Sequence, residues 1–111
     1  MAIELHIEVE TLDANLSSEL MGTQAVAGEL PIPGNAKLKY SGEDVCKAAG
    51  MSRIVYLSLI FSGNVAASLV AAWLYDKLKG KASKITIDRT EVRLDKGEIA
   101  RIIQEKIKVQ H

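Results

Sequence analysis

Histidine, cysteine and paired carboxylates are the side chains of this 111-residue chain that could do chemistry. Their spacing gives them little to do. The two histidines, His6 and His111, stand far apart with the single Cys46 between them. A metal site needs His, Cys, Asp or Glu gathered at short, characteristic spacings, and no such grouping occurs. Cys46 lies in EDVCKAAG. Its acidic neighbours disfavour a thiolate while Lys47 acts the other way, so it reads as a small buried hydrophobe rather than a nucleophile. The carboxylate pairs Glu8/Glu10 and Glu43/Asp44 have no pocket signature around them and read as solvated surface. Neither GxGxxG nor GxxxxGK[ST] is present, so nucleotide binding has no motif support. The expectation is a non-enzymatic protein with no catalytic residue, cofactor or metal.

Association is better represented than catalysis. In RIVYLSLIFSGNVAASLVAAWLYDKLKGK no residue between Ile54 and Tyr75 carries a formal charge. Gly63, Ala67 and Ala71 recur every four residues, with Ser58, Ser62 and Ala66 as an adjacent small row. Rows of small side chains let a second backbone come close. Trp73 suits an interface anchor, since tryptophan is enriched where proteins meet. The stretch predicts one long helix, capped at Ser52 and stopped at Gly80, apolar around nearly its whole circumference. Such a helix must be covered by lipid, by the rest of its own chain or by another copy. Its Ile, Val, Leu and Phe side chains favour bilayer insertion by roughly 3–6 kcal/mol. A central Asn64 opposes that by about 2 kcal/mol, and the serines oppose it further. The expected self-association surface is therefore Ser62, Gly63, Ala66, Ala67, Ala71 and Trp73.

The remaining elements follow from periodicity. Ile3, Leu5, Ile7 and Val9 alternate with Glu4, His6, Glu8 and Glu10, which predicts a half-buried strand with an acidic outer face. Asp13 to Met21 predicts a short helix stopped by Gly22, with Leu12, Leu16 and Leu20 on one face. GELPIPG at 28–34 reads as an extended turn because its prolines break helix. Ala36 to Tyr40 reads as a short strand, and 41–50 as one or two helical turns. Ile85/Ile87 and Val92/Leu94, separated by DRTE, predict a hairpin. Asp95 and Glu98 resemble a capping box ahead of a final helix with an Ile99, Ile102, Ile103, Ile107 stripe. The fold class is α+β in a single domain, 1–111. The N-terminal strand and C-terminal hairpin form a small antiparallel sheet, packed with one long apolar helix and a short C-terminal helix.

Lys and Arg total 14 and Asp and Glu total 14, so the formal net charge is zero. That balance, with few aromatics, points away from nucleic acid. One cysteine and no basic, apolar leader suggest the cytoplasm, with membrane association open through the long apolar stretch.

The order of parts resembles the effector-associated constant component proteins, small bacterial modules found beside effectors of conflict and antiviral defence systems. The resemblance runs through IELHIEVE, the helix end AAWLYDKLKGK, and the hairpin ITIDRTEVRLD before a final helix. It implies a non-enzymatic adaptor that brings effector components together, and it assigns no functional residue. The expected function is a protein-interaction module that self-associates into a homo-oligomer through the long helix and holds a protein effector partner. The alternatives are a membrane-inserting or membrane-anchored small protein, and a small phage or bacterial inhibitor that binds its partner through the acidic strand.

Overall fold

The computed structural model describes residues 3–13, 15–22, 29–46, 52–61 and 64–110. The first strand, β1 (Ile3–Thr11), shows the period-two burial its sequence requires, with Leu5, Ile7 and Val9 at 0–1% exposure. A short helix α1 (Leu16–Met21) follows, then strands β2 (Glu29–Ile32), β3 (Ala36–Cys46) and β4 (Ser52–Phe61). Helix α2 (Ala67–Leu78) leads into the hairpin β5 (Ala82–Ile87) and β6 (Thr90–Val92), and helix α3 (Lys96–Gln110) follows. The six strands form one sheet in the order β2-β3-β4-β1-β5-β6, with every neighbouring pair antiparallel.

The protein is α+β, as expected, but the long helix over 54–75 is corrected. Its first half is β4, a central strand hydrogen-bonded to β1 on one side and β3 on the other. Among the described residues of the run, only those from Ala67 onward are helical. A charge-free run of this kind serves equally as a buried strand or a buried helix, and periodicity alone does not separate them. β-branched and aromatic side chains crowd SRIVYLSLIF and suit a pleated surface. The expected small sheet thus grows from three strands to six. β3 also runs on through Cys46 where helical turns were expected from Ser41, while 47–50 lie outside the described residues. Glu29–Ile32, expected as an extended turn, is the edge strand β2.

The core lies between one face of the sheet and the helices. Leu5, Ile7, Val9, Leu38, Val55, Leu57, Leu59 and Phe61 pack with Val70, Ala71, Leu74 and Leu78 of α2 and Ile99, Ile102 and Ile103 of α3. Each large aliphatic or aromatic side chain buried here contributes about 1.5–3 kcal/mol. α1 adds Leu16, Leu20 and Met21 to the same cluster. Leu12, expected beside them, lies before the helix and is 70% exposed.

The hairpin turn is tighter than the expected DRTE connection, because Thr90 and Glu91 pair with Ile87 and Thr86 as part of β6, which ends at Val92 before Leu94. Asp88 and Arg89 both have positive φ, 45° and 68°, as a two-residue type I′ connection requires. Asp88 is tied to β1 twice: its amide donates to the His6 carbonyl, and its Oδ1 accepts from the His6 amide, both at 2.8 Å.

At α3, Asp95 Oδ1 accepts from the Gly97 and Glu98 amides at 2.8 and 3.1 Å, so Asp95 caps the helix. The reciprocal half of a capping box is replaced, because the Glu98 carboxylate accepts from Arg101. Arg101 also donates to Glu105 at 2.7 Å, one turn on.

Candidate interaction surface

Of the expected self-association row, the described residues are Ala66, Ala67, Ala71 and Trp73. Ala67 and Ala71 are 5% and 1% exposed and already pack in the core, so neither presents a surface to another copy. Ala66 is the residue before α2, half-buried, and its amide donates to the Gly34 carbonyl at 3.3 Å. Ser62 and Gly63 lie outside the described residues. Trp73 is half-buried against the core, with the Lys77 ammonium 5.8 Å from its ring centroid. Ala67 and Ala71 do share one face of α2, and that face is the one packed into the core.

The lysines after α2 are engaged locally. Lys79 pairs with Asp76 at 3.5 Å, and Lys81 donates to Glu19 of α1. That hydrogen bond raises the Lys81 pKa above its ordinary value. Thr11 adds a buried tie here: its hydroxyl donates to the Lys81 carbonyl at 2.6 Å and accepts from the Asp13 amide at 2.9 Å.

The carboxylate pairs are also sorted by the strands. Glu43 and Asp44 are consecutive on β3 and therefore point to opposite faces. Glu43 accepts from Tyr40 at 2.8 Å and from Arg53 at 3.0 Å on the helix side, and Asp44 accepts from Tyr56 at 2.9 Å on the other. Two carboxyls so divided cannot share a reacting atom. Among the described residues no three His, Cys, Asp or Glu side chains are grouped to hold a metal ion.

The feature left for binding is the sheet face opposite the helices, which no helix covers among the described residues. Its residues follow from the register. In four ranks across β3, β4 and β1 lie Lys37, Ile60 and Glu4; then Lys39, Ser58 and His6; then Gly42, Tyr56 and Glu8; then Asp44, Ile54 and Glu10. Thr86 and Lys84 of β5 continue the last two ranks. The central strand therefore carries Ile54, Tyr56 and Ile60, all half-buried, between a partly basic strand and an acidic one. Ser58, in the middle of this face, is 2% exposed.

A groove of about 620 Å³ crosses the face, lined by Glu4, His6, Glu8, Tyr56, Asp88 and Arg89, with Ser41 at its far wall. Both walls have local causes. Between Tyr40 and Gly42 the β3 register slips by one residue, a bulge that increases the twist there. Gly42 has φ 126°, open to glycine and rarely to other residues. The opposite wall is the Asp88–Arg89 turn, fixed by its two bonds to the His6 backbone. Alternation in β1 was the sequence signal for this surface, and it located the acidic row. The row's neighbours were hidden because β4 was read as helix.

The chain matches no protein-family model, and no curated protein or solved structure matches it.

Proposed function

We propose that this chain is a non-enzymatic protein-interaction module, an adaptor that self-associates and holds a protein effector partner, with the open face of the sheet as its working surface. One observation carries the reading. An antiparallel sheet can leave one face in water, and its strands then alternate apolar inward and polar outward. β4 does not: Ile54, Tyr56 and Ile60 lie on the side away from the helices. Apolar side chains gathered on the outer side of a central strand mark a surface that becomes covered on assembly. The resemblance to the effector-associated constant component proteins supports an accessory role in a bacterial defence or conflict system, working in the cytoplasm.

The membrane alternative rested on a helix over 54–75, and no helix of the described residues is long and apolar enough to cross a membrane. The inhibitor alternative keeps one support, the acidic row Glu4, Glu8 and Glu10 on the same open face. Light scattering coupled to size exclusion over a concentration series tests self-association. A discrete oligomer is expected. A monomer at every concentration overturns it and returns the acidic face to a heteromeric partner.

A further inference from the structure

We draw no further inference here: the strongest candidate, the groove that crosses the open sheet face between the β3 bulge at Gly42 and the Asp88–Arg89 turn, carries nothing, because its carboxylates share the cavity with Arg89 and nothing in the structure shows what covers it.

Discussion

Gly34 and Val70 are packed so closely that the glycine has no room for a side chain. A Cβ there would lie 2.6 Å from Val70 Cγ2 and 2.8 Å from the Ala66 carbonyl oxygen, and φ is +99°. The β2–β3 turn thereby seats on the start of α2, where Asn35 Nδ2 also donates to the Asn64 carbonyl at 2.7 Å. No side chain caps α2, so this turn supplies its N-terminal contacts instead.

Gly34→Ala is therefore expected to destabilise the protein by about 2–4 kcal/mol, combining strain at positive φ with overpacking. Denaturant unfolding measures it. Adding Val70→Ala should recover only part of the loss, since the Ala66 carbonyl still blocks the methyl; full recovery would mean that Val70 alone sets the limit.

Ala71 offers a second test, of where the small-residue row points. At 1% exposure it has no slack, and Ala71→Leu is expected to cost about 1–3 kcal/mol of folding stability. The oligomeric size of the folded fraction should stay that of the parent. A variant of unchanged stability but altered size would put Ala71 in an interface after all.

Thr11 is fully buried and bonds both the Lys81 carbonyl and the Asp13 amide. Thr11→Val keeps the shape and removes both bonds, leaving a carbonyl and an amide without their partner. The expected loss is about 1–3 kcal/mol, read by thermal or chemical unfolding. A change within error would show that water replaces the hydroxyl.

The last prediction concerns acid. The hydrogen bond from Arg101 holds the Glu98 pKa below its ordinary 4.5. A carboxyl lowered in the folded state favours folding above its unfolded pKa, and that contribution fades as pH falls through the lower folded value. Unfolding measured against pH should show a shallower acid decline for Glu98→Gln than for the parent, and parallel curves would refute the assignment. Asp95→Ala should cost about 1 kcal/mol at neutral pH through the lost cap.

Legibility tracked how local the signal was. β1, the β5–β6 hairpin and α3 were readable because each is specified within a few residues: strict alternation in IELHIEVE, a polar turn, and an isoleucine stripe behind Asp95. The segment from Ser41 to Phe61 was not. Ser41 to Cys46 has mixed polarity because a bulge shifts which side chains face inward midway along β3. β4 conceals its period because both of its faces carry apolar side chains, and its pairing with the distant β1 leaves no local mark. The candidate surface suffered with it, since the row between Lys37/Lys39 and Glu4/Glu8 exists only once β4 lies between them.

The sequence by itself determined the α+β class, the acidic outer row of β1 and the start of the final helix, because those depend on neighbours along the chain. Tertiary structure alone decided that the charge-free run divides into a central strand and a helix, that Ala67 and Ala71 face inward, and that lysines and glutamates stand in facing rows. Those outcomes rest on hydrogen bonds and packing between segments far apart in sequence. No window of the chain contains both partners.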